Sequence, residues 1–268
     1  MDVRSHITLN SGNPMPVLGL GTWMLTNDTP GAIARAIGLG YRMIDTAEDY
    51  GTQPGIGAAL RQAGIGRDEI YIVTKVEEDE DAYEATKRDL EELGVDHADL
   101  MLIHRPPGNG AGEALWDGLI RAREEGLTRD IGVSNYTIAQ IDALIEATGE
   151  VPAVNQIEWS PLGHSDDMPR EATARDIIIQ AYSPLTRARR LNDPTITDMA
   201  RRYGKSPAQI LIRWNLQRHT VPLPKANRES HMEENIHVFD FEIVDEDMQA
   251  LGALNEHYSA LGGKLQYE

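Results

Sequence analysis

Four polar residues in the first half of the chain stand where their chemistry could be combined. Asp45, Lys75 and His104 each end an apolar run typical of a buried strand, and Tyr50 follows Asp45 by five residues. A tyrosine hydroxyl is a weak acid, with a pKa of about 10 in model peptides. A nearby ammonium stabilises the phenolate and lowers that pKa, and an aspartate paired with the lysine holds the ammonium in place.

These groups together predict a proton donor aimed at an oxygen atom that becomes an alkoxide. A neutral His104 could donate a hydrogen bond to the same carbonyl oxygen. Taken singly, Asp45 could cap a turn and Tyr50 could be a packed aromatic, but the convergence of all four at adjacent strand ends favours a site. Carbonyl reduction by hydride transfer has these requirements. No side chain supplies hydride, so a nicotinamide cofactor is implied.

Eight apolar runs of four to seven residues predict strands, with helical patterns between them. The runs are rich in Ile, Val and Leu and do not alternate cleanly, as expected of parallel strands covered on both faces. Eight strands alternating with helices favour an α/β fold of the (β/α)8 TIM barrel type. The runs are "VLGL" (17–20), "YRMID" (41–45), "IYIVTK" (70–75), "ADLMLIH" (98–104), "DIGVS" (130–134), "AVNQIE" (153–158), "IIIQAY" (177–182) and "TVPLP" (220–224).

The alternative fold is a doubly wound sheet, which would normally show G-x-G-x-x-G after its first strand. The nearest match is "GLGTWM" (19–24), in which Met24 stands at the third glycine position. The opening "HITLNSGNPMP" predicts a hairpin that plugs one end of a barrel. No low-complexity linker divides the chain, so we expect one domain over residues 1–268. The predicted helices are "PGAIARAIGLG", "GIGAALRQAG", "DAYEATKRDLEELG" with Gly94 as C-cap, "GEALWDGLIRAREEG", "IAQIDALIEATG" and "SPAQILIRWNLQRH" with Pro207 in its first turn.

The charge of the chain bears on its partners and on its surface. The net charge is −18, with 43 acidic residues against 25 lysines and arginines, and this argues against a nucleic-acid partner. Only five of the basic residues are lysines. An acidic, lysine-poor surface is either an ordinary solvated surface or an adaptation to high salt, where self-repulsion is screened.

Apolar runs, cysteine content and histidine spacing give expectations about the compartment and about metal sites. There is no apolar run of 18 residues and no secretory h-region, so we expect no membrane span and no secretion. The absence of cysteine excludes disulfides, thiolate zinc sites and a cysteine nucleophile, and a cytoplasmic location is the default. The histidines show no ligand spacing, and the acids "EEDED" (77–81) are interpreted as a loop and helix start, so we expect no metal site.

The motifs around the four residues resemble those of the aldo-keto reductase family, over nearly the whole chain. "DTAEDYG" resembles the family's D-T-A-x-x-Y-G motif, and "IVTKV" and "LIHRP" resemble its lysine and histidine motifs. The resemblance is to the short-loop, microbial type. It implies Tyr50 as the general acid, Asp45 and Lys75 as its tuning pair, and His104 as the residue that orients the carbonyl. It also implies the reduction of aldehydes or ketones to alcohols.

The resemblance further implies the residues that hold the nicotinamide. "GVSN" contributes Ser134 and Asn135, and "VNQIE" contributes Gln156, at positions that hold the carboxamide in the family. "AYSPL" contributes Tyr182, which by resemblance stacks on the nicotinamide ring. The positions near the pyrophosphate are Ser183 and Leu185.

The segment "LPKANRESHMEEN" (223–235) resembles the family's I-P-K-S segment followed by an arginine and E-N, which holds the adenosine 2′-phosphate. Barrels commonly bind phosphate here, at the N-terminus of a short helix, and Lys225 would lie over it. Ser230 and Glu233 predict a capping box for that helix. The predicted adenine contacts are Glu234 and Asn235.

Two positions depart from this pattern. Ala226 stands where serine or threonine is common, and His231 stands where the arginine is expected. Arginine binds phosphate bidentately and neutral histidine cannot, but Arg228 could supply the guanidinium from a neighbouring position. We expect NADPH to be accepted and preferred, and NADH to work measurably.

The substrate pocket is predicted from three side chains. Arg105 stands where the family often has a tryptophan, and it could attract a carboxylate or phosphate or simply face solvent. Trp23 and Trp159 are candidate pocket walls, although either could be core packing. The loop after the fourth strand and the C-terminal tail are short, which predicts a fairly open pocket for a small carbonyl compound.

Two other functions compete with a reductase. A Schiff-base aldolase barrel using Lys75 would need neither Tyr50 nor the phosphate segment around Lys225. A non-catalytic barrel that binds the cofactor and senses redox state would leave the four polar residues without a task. The fold needs no partner subunit to close its core, so a monomer is expected.

Overall fold

Ten strands and ten helices form in the described part of the chain, residues 2–25 and 27–268 of the computed structural model. The strands are β1 (His6–Thr8), β2 (Pro14–Pro16), β3 (Leu20–Gly21), β4 (Met43–Asp45), β5 (Tyr71–Val76), β6 (Ala98–Ile103), β7 (Thr128–Ser134), β8 (Val154–Glu158), β9 (Ile178–Tyr182) and β10 (Val221–Pro222). The helices are α1 (Thr29–Leu39), α2 (Gln53–Ala63), α3 (Ala82–Leu93), α4 (Glu113–Glu124), α5 (Ile138–Thr148), α6 (Met168–Thr173), α7 (Pro194–Tyr203), α8 (Pro207–Gln217), α9 (Glu229–Ile236) and α10 (Asp245–Gly252).

Strands β3 to β10 form one sheet of eight parallel strands in chain order. The first and last strands also meet, because the amide of Gly19 donates to Pro222 O at 3.1 Å and that of Gly21 donates to Pro224 O at 3.2 Å. A Cβ at Gly21 would lie 2.9 Å from Leu223 O, so only glycine allows this approach. The predicted (β/α)8 barrel is confirmed.

The hairpin of β1 and β2 is also confirmed as an antiparallel pair. Leu9 and Met15 are buried and pack with Met43 and Leu100, whose side chains belong to the same core cluster. Inside the barrel, Gln180 Nε2 donates to Met15 Sδ at 3.2 Å. The hairpin therefore covers the end of the barrel where the strands begin.

Strand alternation aims the polar residues into the barrel mouth. Val73 in β5 and Leu102 in β6 belong to the core cluster that contacts the hairpin. Lys75 and His104 follow them by two residues and so face the same way. Asp45, at the end of β4, pairs in register with Val73. The three side chains therefore meet at the carboxyl ends of neighbouring strands.

Helix capping agrees with the sequence at two helices and differs at one. Helix α3 ends at Gly94, with φ of 66°, and α8 begins with Pro207 in its first turn, as predicted. The capping box predicted at Ser230 and Glu233 is wrong. Helix α9 begins at Glu229, so Ser230 lies inside the first turn, and its N-cap Arg228 makes no side-chain capping bond.

Among the described residues, no helix combines the length and the apolar character that a bilayer span requires.

Candidate active site

A cavity of about 930 Å³ opens at the carboxyl ends of the barrel strands. Asp45, Tyr50 and His104 line it, and Lys75 lies fully buried behind them. All twelve predicted cofactor residues line the same cavity. They are Ser134, Asn135, Gln156, Tyr182, Ser183, Leu185, Lys225, Ala226, Arg228, His231, Glu234 and Asn235.

Lys75 is held in an ion pair behind Tyr50. Its Nζ donates to Asp45 Oδ2 at 2.9 Å and to Thr46 O at 2.6 Å, and it lies 4.9 Å from the centroid of the Tyr50 ring. Burial by itself lowers the pKa of Lys75, but Asp45 and the Tyr50 hydroxyl raise it above its ordinary value. The lysine is therefore a buried ammonium whose charge is compensated by one carboxylate.

The pKa of Tyr50 is raised, whereas the sequence analysis expected Lys75 to lower it. Burial raises the pKa of the Tyr50 phenol above its ordinary value. Lys75 acts in the opposite direction, as expected, but Asp45 and Asp49 add to the effect of burial. In this structure the hydroxyl is thus fully protonated near neutral pH, which is the form that a proton donor needs.

His104 is a neutral imidazole beside the tyrosine. The two rings meet edge to face, with centroids 5.8 Å apart. Burial, with Lys75 and Arg105 in the same direction, lowers the pKa of His104 to about 3. The Nδ1 atom of His104 lies 2.6 Å from Glu77 Oε1, while the ring lines the cavity.

Two acidic residues that the sequence analysis did not single out, Asp49 and Glu77, lie beside His104. Asp49 Oδ1 lies 3.8 Å from His104 Nδ1, and ligand atoms of Asp49, Glu77 and His104 all lie within 4.8 Å of one another. The residue types and the short distances between their ligand atoms would allow a metal ion here, although the sequence analysis expected no metal site. However, Arg105 holds the outer oxygens of both carboxylates, at 3.6 Å for Asp49 and 3.2 Å for Glu77. The cluster is therefore satisfied by protein groups.

The same acidic residues compensate the charge of Arg105. Its guanidinium pairs with Asp49, Glu77 and Glu78, the last at 3.5 Å, so three carboxylates compensate its charge. Arg105 lines the cavity, but its attraction for an anionic substrate is reduced. The sequence signal for Glu77 was its position two residues after Lys75, directly after the end of β5, where an extended chain would turn both side chains to the same side.

The residues predicted to hold the carboxamide form a connected network. Ser134 Oγ donates to Gln156 O at 2.8 Å, and Asn135 Nδ2 donates to Ser134 Oγ at 3.1 Å. The Tyr182 hydroxyl donates to Asn135 Oδ1 at 2.8 Å. Gln156 Nε2 donates to Asp45 Oδ2 at 2.8 Å, which joins this network to the ion pair.

The loop after β9 contributes a cation that the sequence analysis missed. Arg187 lines the cavity, and its guanidinium lies 4.0 Å from the ring centroid of Trp23. Three consecutive residues, Thr186–Ala188, have positive φ angles of 51°, 51° and 62°. Non-glycine residues adopt this conformation at a cost, and such strain is often stored at functional sites.

Arg187 and two other basic side chains that line the cavity, Lys225 and Arg228, lack acidic partners in the described part of the chain. Within residues 2–25 and 27–268, no carboxylate lies within 4.0 Å of the charged groups of Lys225, Arg228 or Arg187. Burial lowers the pKa of Lys225 below its ordinary value. In a chain of net charge −18, uncompensated cations around one cavity favour an anionic occupant.

The two predicted tryptophan walls have different positions. Trp23 lines the cavity and is 39% exposed. The prediction for Trp159 is wrong, because its indole is fully buried and does not line the cavity. It stacks on Trp214, with centroids 6.4 Å apart, and packs against Tyr267. Trp159 is thus part of the core under the C-terminal segment.

The C-terminal segment reaches the cavity despite its short length. Leu261 and Gln266 line the cavity. Glu158, at the end of β8, anchors the segment by accepting hydrogen bonds from Ser259 Oγ at 2.7 Å and from the amide of Ala260 at 2.6 Å. The pocket is therefore closed on this side more than the sequence predicted.

Known proteins resemble this chain over most of its length. The profile described as the Aldo/keto reductase family matches residues 17–256. The chain belongs to the aldo/keto reductase family. An aldo-keto reductase of Mycobacterium tuberculosis is 42% identical over 256 residues, which cover 93% of this chain and 91% of that protein. One from Mycobacterium marinum is 40% identical with the same coverage.

Solved structures of aldo/keto reductases have the same fold. An aldo/keto reductase of Brucella melitensis has a TM-score of 0.88 and 36% identity, covering 93% of this chain and 99% of that one. A Bombyx mori aldo-keto reductase, solved in complex with NADP, has a TM-score of 0.90 and 32% identity, covering 97% and 95%. The family assignment implies carbonyl chemistry with a nicotinamide cofactor.

Proposed function

We propose that this aldo/keto reductase reduces aldehydes or ketones to alcohols with NADPH, and that Tyr50 is the proton donor. The observation that carries the proposal is the buried Lys75–Asp45 pair directly behind Tyr50 at the cavity wall. Burying an ammonium costs free energy unless it is paired, and Asp45 pairs with Lys75 here. A buried charged group in a cavity wall is also typical of a functional site.

The residues of the chain act on the oxygen atom of the substrate. A bound reduced nicotinamide supplies the hydride that reaches the carbonyl carbon. The carbonyl oxygen gains negative charge, and the Tyr50 hydroxyl donates a proton to it. The Lys75 ammonium stabilises the phenolate that remains, and Asp45 keeps the ammonium in place. The phenolate takes a proton from solvent water before the next turnover.

The charged and polar groups around the cavity support nicotinamide adenine dinucleotide phosphate as its occupant. The uncompensated cations Lys225, Arg228 and Arg187 suit its phosphates, and the polar network at Ser134 and Asn135 suits a carboxamide. The Bombyx mori relative was solved with NADP, which supports the same cofactor here. We propose NADPH as the preferred cofactor and NADH as a slower substitute.

The alternative functions receive less support from the geometry. A Schiff-base aldolase needs an accessible, neutral amine, but Lys75 has no exposed surface and its pKa is raised. A sensor without catalysis would leave the Tyr50–Lys75–Asp45 arrangement unexplained. Three further expectations stay predictions: a monomer, a cytoplasmic location, and one domain over residues 1–268.

The proposal is tested by replacing Tyr50 with phenylalanine. Oxidation of NADPH is followed with a panel of small aldehydes and ketones, and NADPH affinity is measured by fluorescence titration. In Tyr50→Phe we expect kcat/KM to fall by at least about 100-fold, because general acid catalysis contributes that much, with cofactor affinity kept. Tyr83→Phe is the matched control, because Tyr83 pairs with Glu125 on the outer surface and should leave turnover unchanged.

Each other outcome has a defined meaning. Turnover that survives in Tyr50→Phe would place the proton donor elsewhere. If the wild-type chain binds NADPH but reduces no carbonyl in the panel, the reductase proposal fails and the cofactor sensor becomes the better hypothesis. A Schiff base on Lys75 that borohydride traps with a carbonyl compound would support the aldolase.

A further inference from the structure

A line of buried polar side chains leads from the ion pair into the core of the barrel. Gln156 in β8 donates from Nε2 to Asp45 Oδ2 at 2.8 Å and to Gln180 Oε1 at 2.9 Å. Gln180 is its register partner in β9 and is fully buried. Of the three side chains that Gln180 bonds in the described part of the chain, only Gln156 lines the cavity.

The neighbours at the two ends of this line fix the direction of both amides. Asp45 Oδ2 also accepts from Lys75 Nζ at 2.9 Å, so it presents a carboxylate oxygen to Gln156. A reversed Gln156 amide would turn its own oxygen against that oxygen. At the other end, Gln180 Nε2 donates to Met15 Sδ at 3.2 Å, and a thioether sulfur can only accept. Each amide therefore has one favourable orientation.

Both N–H bonds of Gln156 are thus used inside the protein, and its Oε1 is left for the cavity. Among the residues that the structure describes, no donor reaches this oxygen, and it is not one of the buried atoms without a partner, so it is open to the cavity. The bond to Asp45 alone would leave the amide free to turn, because the terminal torsion of glutamine is broad. The second bond, to Gln180, fixes the amide plane and with it the direction of Oε1.

We propose that Gln180 is a positioning residue that directs Oε1 of Gln156 into the cavity, where this oxygen accepts a hydrogen bond from the carboxamide N–H of the nicotinamide. The inference rests on the proposed function, because it needs a nicotinamide cofactor. An apolar side chain at position 180 would leave one N–H of Gln156 without an acceptor in the core, which costs free energy. The amide would then turn that N–H to the cavity, and the carboxamide would meet a donor in place of an acceptor.

The test compares two dinucleotides that differ only at the carboxamide. One is NADP⁺, and the other is its 3-acetylpyridine analogue, which carries a methyl ketone there and has no N–H to donate. Their dissociation constants are measured by isothermal titration calorimetry, and the ratio isolates the carboxamide. In the wild-type chain we expect NADP⁺ to bind at least about fivefold more tightly, the share of one hydrogen bond. Adenosine 2′,5′-bisphosphate, which lacks the nicotinamide, reports whether the phosphate end of the site is intact.

This preference should depend on Gln180. Gln180→Met keeps the length of the side chain without its amide, and we expect the preference for NADP⁺ to fall below about twofold, with the affinity for the bisphosphate kept. Gln180→Glu should restore most of the preference, because a buried neutral carboxyl group can accept from Gln156 and donate to Met15. An unchanged preference in Gln180→Met would refute the role of Gln180.

Gln53→Met is the matched control. Gln53 is as fully buried as Gln180, but it donates to Thr74 on the outer side of β5 and does not line the cavity. Its replacement removes a buried amide of the same size, so any loss of stability should be comparable, while the preference for NADP⁺ should stay at the wild-type value. A fall in Gln53→Met equal to that in Gln180→Met would assign the effect to general loosening of the barrel and overturn the proposal.

The orientation of Gln156 can also be followed without a cofactor. Exchange of its side-chain N–H protons with water is measured by ¹⁵N NMR. In the wild-type chain both protons are bonded inside the protein and should exchange slowly, and in Gln180→Met we expect exchange at least about tenfold faster. Exchange in the wild-type chain at the rate of an exposed glutamine would overturn the proposal, even if Gln180→Met did not fold.

The two proposals can fail separately. If NADP⁺ is preferred through Gln180 but no carbonyl compound is reduced, the reductase is refuted and the positioning role is supported. If carbonyl compounds are reduced but the wild-type chain binds NADP⁺ and its analogue equally, only the positioning role is wrong. A chain that binds neither dinucleotide would refute both.

Discussion

Asp89 is a second buried carboxyl group near the site, on the outer side of β5. Thr74 Oγ1 donates to its Oδ2 at 2.9 Å, and Gln53 Nε2 donates to Thr74 Oγ1 at 2.8 Å. In the described part of the chain, its Oδ1 has no hydrogen-bond partner. Burial raises the pKa of Asp89 to about 7. Unlike Asp45, this carboxyl group forms no ion pair with a cation among the described residues.

The raised pKa predicts how stability depends on pH. The unfolded chain loses the Asp89 proton near pH ~4, but the folded chain keeps it up to about pH 7, so stability falls as pH rises between those values. At pH ~8 the buried charge is a cost, and Asp89→Asn removes it. We therefore expect the Tm of Asp89→Asn to exceed that of the wild type at pH ~8, with the gain shrinking at pH ~5.

Thermal melts over this pH range check the prediction. Asp117→Asn is the control, because Asp117 is an exposed carboxylate on α4 and its replacement should change Tm little at any pH. A lower Tm for Asp89→Asn at pH ~8 would mean that the carboxylate stabilises the fold through a contact that the pKa does not reflect.

Residue types predicted the centre of the site better than its edges. The pairing of Lys75 with Asp45 followed from the rule that a buried lysine needs a partner. The position of Trp159 did not, because a tryptophan at a strand end can turn either to the mouth or under the neighbouring segment. Glu77 was interpreted, with the other acids of residues 77–81, as part of a loop and helix start, since its partner His104 is 27 residues away in sequence and only the barrel brings the two together.

At the scale of elements, hydrophobic runs located the strands well and the short helices poorly. The first run (17–20) overlaps β3 only at Leu20, since Gly19 pairs instead with the last strand. Helices α6, α7 and α10 were not predicted. They have six, ten and eight residues, and helices of that length depend on packing rather than on their own propensity. Buried side chains such as Ile196 in α7 supply that packing.

Helix α9 is the element on which the cofactor prediction depends. Arg228 stands at its N-cap, and Lys225 and His231 line the same end of the cavity. If Arg228 provides the guanidinium for the 2′-phosphate, Arg228→Ala should raise the KM for NADPH by about tenfold and leave that for NADH nearly unchanged. Steady-state kinetics with both cofactors check this.

The matched control for this element is Arg201→Ala on α7. Arg201 is an exposed arginine that pairs with Asp198 one turn away, and it does not line the cavity. Its replacement should alter neither KM. Equal losses with NADPH and NADH in Arg228→Ala would instead assign Arg228 to the pyrophosphate, which the two cofactors share.

At the scale of the whole molecule, charge is distributed unevenly. The chain carries 43 acidic residues, and many basic side chains on its surface are paired with them, as Arg175 is with Asp142 and Glu171. Three cations that line the cavity, Lys225, Arg228 and Arg187, are exceptions. The acidic surface thus surrounds a mouth with local positive charge, and such a field guides anionic ligands towards the site.

The remaining excess of negative charge predicts a response to salt. Repulsion among uncompensated carboxylates destabilises the compact state, and about 1 M KCl shortens the screening length to about 3 Å. If the acidic surface is an adaptation to high salt, Tm should rise by several degrees between dilute buffer and about 1 M KCl. Screening also weakens the surface ion pairs, but each of these contributes little.

A melting series in KCl, with sucrose as an uncharged control, separates charge screening from the general effect of excluded solutes. The electrostatic explanation requires Tm to rise steeply at low KCl concentrations, where the screening length changes most, and to level off above them. Sucrose should give a smaller and steadily increasing shift. A Tm independent of KCl would show that the carboxylates are far enough apart, or well enough paired, for the net charge of −18 to be an ordinary solvated surface.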